Sequence, residues 1–181
     1  MTHYGGQELA RSFRTVRSNT IQIAEEIPEN KYDFRPAPDC RAVAQTLVHI
    51  AFVSALHLHL HRNRIGDLNT VNFMELFQPI AAEEGKPRTK ADIIALLKSR
   101  GDEFASYLEG LSDSFLAESV TQPSGTQPAA KSRLEMLLSA KEHEMHHRAQ
   151  LMVVERMLGI TPHLTRQMQE RMAQRAAAQA R

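Results

Sequence analysis

Apolar residues recur every three or four positions along most of this chain, the spacing that gathers side chains on one face of an α-helix. Leu9, Phe13, Val16, Thr20, Ile23 and Ile27 form the first stripe, over about Gln7 to Glu26, and Pro28 stops it. Phe34-Arg35-Pro36-Ala37-Pro38 reads as a stiff, extended connection. A second helix is expected from about Arg41 to Arg64, ended near Gly66. Val43, Leu47, Val48, Ile50, Phe52, Val53, Leu56 and Leu60 make it apolar on nearly every side, so protein should surround it. Residues 67–88 form a longer connection, with one short helix expected around Asn72 to Phe77. Thr89, with Asp92 three residues on, marks the start of a third helix. Its stripe is Ile93, Leu96, Leu97, Phe104, Leu108 and Leu111.

Thr121 to Pro128 is loop by composition, and a fourth helix is expected over about Ala129 to Leu158, ended by Gly159. After Thr161-Pro162 a fifth helix is expected from Leu164 onward. Leu164, Met168 and Met172 are among its few apolar residues, so it should lie exposed or on a partner. No strand alternation bounded by turns stands out. Four long helices predict an all-α four-helix bundle. Residues 1–160 would form the bundle, and 161–181 a helical extension of the same domain.

Composition narrows the partners. Lys and Arg number 22 against 21 Asp and Glu, a net charge of +1, too balanced to favour nucleic acid or a membrane surface. Trp is absent, which argues against base-stacking platforms. No uninterrupted apolar run approaches membrane-spanning length, because Ser54, His57 and His59 break the segment from Ala51 to Leu60. The polar start lacks the pattern of a signal peptide. Cys40 is the only cysteine and is expected to be a packed side chain; a single thiol fits a reducing, cytoplasmic setting.

The chemistry concentrates in His143-Glu144-Met145-His146-His147-Arg148. His143 and His147 are four residues apart, which stacks both imidazoles on one helical face. Neutral imidazole is the commonest protein ligand for a transition metal. His-Glu-x-x-His is also the zincin protease signature, with Glu144 as base. Its extended form needs Gly and His where Gln150 and Val153 stand. A third ligand at Glu170 would sit in the sparsely apolar tail, and zincins set the motif beside a sheet, so the protease reading is weak.

A better third ligand is His49, in mid-helix among Val48, Ile50 and Ala51, where an unpaired imidazole is costly. The plainer alternative is a hydrogen bond to a carbonyl or to Gln45, one turn back. His57, His59 and His61 alternate, which on a helix points them in different directions, and they are expected to be partly exposed helix-end residues. His146 is offset from the pair, at a pocket rim or in solvent. His3 and His163 receive no role.

These residues resemble the DinB/YfiT-like family of metal-dependent bundle proteins over about residues 8 to 160. The likeness rests on Leu47-Val48-His49-Ile50, on His143 through Gln150, and on the linker from Ile27-Pro28-Glu29 to Arg35-Pro36-Ala37-Pro38. Ala149 stands where the family often has Gly. The resemblance implies a variant up-and-down bundle and one divalent metal, usually zinc or nickel, held by His49, His143 and His147. It also implies homodimers and, in some relatives, transfer of a low-molecular-weight thiol. Three readings follow for a small-molecule substrate. The first is a metal-dependent transferase activating a small thiol for attack on an electrophile. The second is hydrolysis by metal-activated water, with Glu144 as the nearest proton acceptor. The third is a metal-stabilised association module without catalysis.

Overall fold

The computed structural model describes residues 4–179. Among these residues it contains seven α-helices, α1 Gly6–Glu26, α2 Val43–Arg62, α3 Phe73–Glu84, α4 Lys90–Glu109, α5 Asp113–Leu116, α6 Arg133–Met157 and α7 His163–Gln179, and two short 3-10 turns in the connections. Two strands, β1 Ser119–Thr121 and β2 Ala130–Ser132, pair antiparallel with Val120 opposite Lys131. This hairpin occupies part of the segment expected to be loop and the first turn expected of the fourth helix. Three-residue strands are too short for alternation to show in sequence.

The helices start and stop for local reasons. Thr89 Oγ1 accepts from Asp92 N, and Asp92 Oδ2 accepts from Thr89 N, closing the expected capping box of α4. Ser132 Oγ accepts from Glu135 N at the start of α6. At α2, Gln45 Oε1 accepts from Ala42 N. Gln45 therefore serves the helix end and is not the partner of His49. α3 runs past the expected stop at Phe77: Pro79 lies inside it, in its second turn, and Ile80 is its buried residue.

α1, α2, α4 and α6 form the bundle. α1 packs on α4 and α6, and α2 packs on the same two, so the consecutive helices α1 and α2 lie diagonally across the core. One core layer joins Ile23 and Ile27 of α1 with Val43 and Leu47 of α2, Ile93 and Leu97 of α4, and Leu151 and Val154 of α6. The other joins Leu9 and Phe13 with Leu58, Phe104, Leu108, Leu137 and Ala140. The end of α1 thus meets the starts of α2 and α4 and the end of α6. Hence α1 and α6 run one way, and α2 and α4 the other. Two adjacent parallel helices need a chain that returns the length of the bundle, and residues 63–89 with α3 make that crossover.

α2 is long and apolar enough, by length and composition alone, to cross a membrane, contrary to the expectation from its polar interruptions. It sits within the bundle, with 56% of that window buried. α7 is anchored only at its start: from Met168 to Gln179 every residue is exposed.

An Arg at the centre ties the four helices together. Arg17 on α1 donates to both carboxylate oxygens of Glu144 on α6, at 2.9 and 3.1 Å from Nε and 2.9 Å from Nη2. It also donates to the Leu97 carbonyl on α4 at 2.8 Å and to the Ile50 carbonyl on α2 at 3.3 Å. Thr20 adds a 2.7 Å bond to Glu144. Gly101 makes room for this side chain, since a Cβ there would lie 2.8 Å from Arg17 Cγ.

Candidate metal centre

α2 and α6 are antiparallel neighbours, and their facing surfaces bring His49 against His143 and His147. His49 Nε2 and His147 Nε2 each lie 3.0 Å from His143 Nε2. The three ligating atoms all fall within 4.8 Å of one another. The structure thus brings together all three residues singled out as ligands.

Groups behind the rings decide how they face. Glu84 Oε1 is 2.7 Å from His49 Nδ1. A carboxylate only accepts, so Nδ1 carries the hydrogen and Nε2 presents its lone pair to the cluster. Gln150 Oε1 is 2.9 Å from His147 Nδ1, and its amide nitrogen is 3.1 Å from His146 Nε2, which fixes His147 in the same tautomer. Two lone pairs therefore converge on His143 Nε2, which has one site to answer them. A cation placed among the three nitrogens satisfies every one, so these residues fit a metal.

Burial, then the neighbouring His147 and His49, pushes the His143 imidazole down to about 4. Burial also lowers His49 and His147, although Glu84 and Gln150 oppose it. All three rings are neutral near pH 7, the state in which imidazole ligates.

A cleft of about 780 Å³ opens beside His147. Arg41, Thr46, His146 and Gln150 give its wall polar groups, and Val43 and Val154 make it apolar deeper in. Arg41 Nε donates to Glu84 Oε2 at 2.7 Å, so Glu84 links the cleft to His49. Cys40 lines the same cleft and is exposed rather than packed, because it precedes α2 in the linker.

Other expectations change. Glu144, expected as proton acceptor, is buried with both oxygens held by Arg17 and Thr20 beneath the triad. That geometry makes it a structural anchor. His61 is buried, not a partly exposed helix end, since α5 and the start of α6 cover it; its Nδ1 is 3.2 Å from Arg133 Nη1. His57 is partly covered with Nδ1 buried, while His59 is exposed. His146 is exposed at the cleft rim; its ring lies edge-on to that of His147, with centroids 5.0 Å apart, and its Nε2 is 3.1 Å from the Gln150 amide nitrogen. His163 opens α7, buried, with Nε2 3.2 Å from Asn19 Oδ1. Glu170 is exposed on α7, away from any ligand role. His3 lies outside the described residues.

Sequence reasoning missed Glu84, Arg41, Arg17 and Gln150. Gln150 had a local signal, one turn beyond His147. Arg17 had a weaker one, a basic residue beside Val16 on the buried face of α1. Glu84 had none.

The chain is similar to the uncharacterized protein YjoA of Bacillus subtilis, with 25% identity over 156 residues, 85% of this chain and 91% of that protein. The crystal structure of YjoA superposes with a TM-score of 0.62 at 22% identity, covering 85% of this chain and 94% of that one. YfiT of B. subtilis, described as a probable metal-dependent hydrolase with an unusual four-helix bundle topology, superposes with a TM-score of 0.68 at 14% identity. That match covers 89% of this chain and 91% of YfiT. A DinB-like protein from Bacillus cereus gives a TM-score of 0.65 at 15% identity, covering 86% and 93%. The sequence profile of the DinB superfamily matches residues 12–151, well over half of the chain and inclusive of all three histidines, and the chain therefore belongs to the DinB superfamily.

Proposed function

We propose that the protein binds one divalent metal, zinc or nickel, through His49, His143 and His147, and transfers a small thiol onto an electrophilic substrate. The observation that carries the metal is the meeting of three imidazole nitrogens with hydrogen-bond acceptors behind two of the rings. A bound divalent ion supplies a Lewis acid that makes a thiol or water nucleophilic near neutral pH.

The cleft supports the thiol. Arg41 gives it a cationic wall for an anionic group, His146 and Gln150 add hydrogen-bonding groups, and Val43 and Val154 take apolar carbon. Of the three ligands His147 lines the cleft, so a molecule held there lies beside that ring. An adjoining cleft of this size also favours a reaction over a purely structural metal. Hydrolysis is the second reading. It is favoured by the description of YfiT as a probable metal-dependent hydrolase. In neither reading does Glu144 take a proton.

A small-molecule substrate, a cytoplasmic setting and no nucleic-acid or membrane partner complete the reading. A homodimer is supported by Met145, Val153 and Met157, exposed apolar residues on one face of α6.

The test loads purified protein with zinc or nickel and supplies a chromogenic electrophile with and without small thiols. Thiol-dependent turnover that disappears in His49→Ala is expected. Turnover of esters without thiol would move the assignment to hydrolysis, and failure of the wild type to bind either metal would remove both.

A further inference from the structure

Glu84 is the last residue of the crossover helix α3, 35 residues from His49, and its side chain is only 13% exposed. Each carboxylate oxygen has a separate partner: Oε1 accepts from His49 Nδ1 at 2.7 Å, and Oε2 accepts from Arg41 Nε at 2.7 Å. Arg41 restrains the carboxylate from outside, and the carboxylate restrains the ring. Neighbouring Glu83 spends its carboxylate on Lys86 and Arg88 and makes no contact with the triad.

We propose that Glu84 is a positioning residue of the metal centre, holding His49 with its hydrogen on Nδ1 and its Nε2 lone pair aimed at the ion. This rests on the reading of the histidine triad as a metal site. The physical case is general. An imidazole has two tautomers, and only one leaves Nε2 free to ligate. A carboxylate on the far nitrogen selects that tautomer, fixes ring rotation and raises the basicity of the ligating nitrogen. His147 receives the first two effects from the neutral amide of Gln150. His49, the ligand contributed alone from α2, receives all three. The crossover that the parallel pairing of α2 and α4 demands thus delivers an essential support to the site.

The experiment measures zinc affinity by competition with a chromogenic chelator, and the His49 tautomer in metal-free protein by nitrogen-15 NMR. Glu84→Ala, which lacks an acceptor, and Glu84→Met, whose thioether is only a weak one, should each weaken zinc binding about 10- to 100-fold. Glu84→Gln, which keeps an acceptor for Nδ1, should recover most of that loss. In the NMR spectra His49 should be the Nδ1–H form in wild type and Glu84→Gln, and a mixture in Glu84→Ala. Glu83→Ala should leave both readouts unchanged.

Glu84→Ala and Glu84→Met binding zinc within about threefold of wild type, or an unchanged tautomer, would overturn the inference while leaving the triad a metal site. An equal loss in Glu83→Ala would also overturn it, assigning the effect to the docking of α3. A wild type that binds no zinc would overturn the underlying reading and this inference together.

Discussion

Two histidine pairs share one spacing and end in different surroundings. On α6, the rings of His143 and His147 lie 4.6 Å apart at 70°, with their Nε2 atoms 3.0 Å from each other. On α2, the rings of His57 and His61 lie 6.3 Å apart and nearly parallel, at 9°. The first pair faces His49 from the neighbouring helix. The second faces Phe104 and Phe115, and Arg133 donates to His61 Nδ1, which leaves His61 Nε2 buried without an acceptor. An i, i+4 pair is therefore only half of a metal site. The rest is a third ring from another helix and acceptors behind the rings that turn their lone pairs inward. At the α2 pair the Arg133 guanidinium faces His61, and among the described residues no side-chain carboxylate or amide is hydrogen-bonded to either ring.

The contrast breaks most sharply on metal content. His49→Ala or His147→Ala should take bound zinc from roughly one ion per chain to near none, because two imidazoles hold zinc far more weakly than three. The double variant His57→Ala, His61→Ala should keep its full complement. Elemental analysis after dialysis reads both, and zinc lost from the double variant would place the metal at the wrong end of α2.

Beneath the triad, the contrast sharpens on stability. Glu144 lies between His143 and His147 in sequence, so its bonds to Arg17 fix the rotation of α6 that aims both rings at α2. The side chains of Arg17 and Glu144 are 5% and 3% exposed. Arg17→Ala leaves a buried carboxylate without its counter-charge and should cost about 3–5 kcal/mol, measured by urea unfolding. Gly101→Ala should destabilise the same network by forcing Arg17 aside. A loss under about 1 kcal/mol for Arg17→Ala would show that water, not protein, surrounds this pair.

Some of this was legible from sequence and some was not, for identifiable reasons. His49 stood out because Val48, Ile50 and Ala51 leave an imidazole no local partner. His143 and His147 stood out because helical spacing alone stacks them. Thr89 and Asp92 marked the start of α4 because a capping box is contained in four residues. Glu84 was invisible: its partners are set by how the crossover folds back on α2, and the short helix expected there ended near Phe77, well before it. Arg17 meets Glu144 across 127 residues, a pairing no local pattern encodes. His61 was misjudged because its cover, Phe115 and Arg133, belongs to α5 and to the start of α6, elements joined by a hairpin too short to read.

The α2 pair leaves its own mark on the pH dependence of folding. Burial pushes His57 down to about 4 and, aided by His57 and Arg133, pushes His61 down to about 3. In the unfolded chain both titrate near 6.5. Between those values the unfolded chain binds more protons than the folded one, so stability is full above about pH 6.5 and falls as the pH drops towards 4. Each imidazole contributes a slope of up to about 1.4 kcal/mol per pH unit in that window. Glu155 acts with the opposite sign, since burial and Glu26 push it up to about 7 and it loses stability as the pH rises. The informative quantity is therefore the difference between variant and wild type, which cancels Glu155 and the triad. Urea unfolding of metal-free protein at pH 7, 6 and 5 should show a shallower slope for His61→Leu. An unchanged slope would mean that the His61 ring opens to water before it protonates, and that the two pairs differ less in burial than their geometry implies.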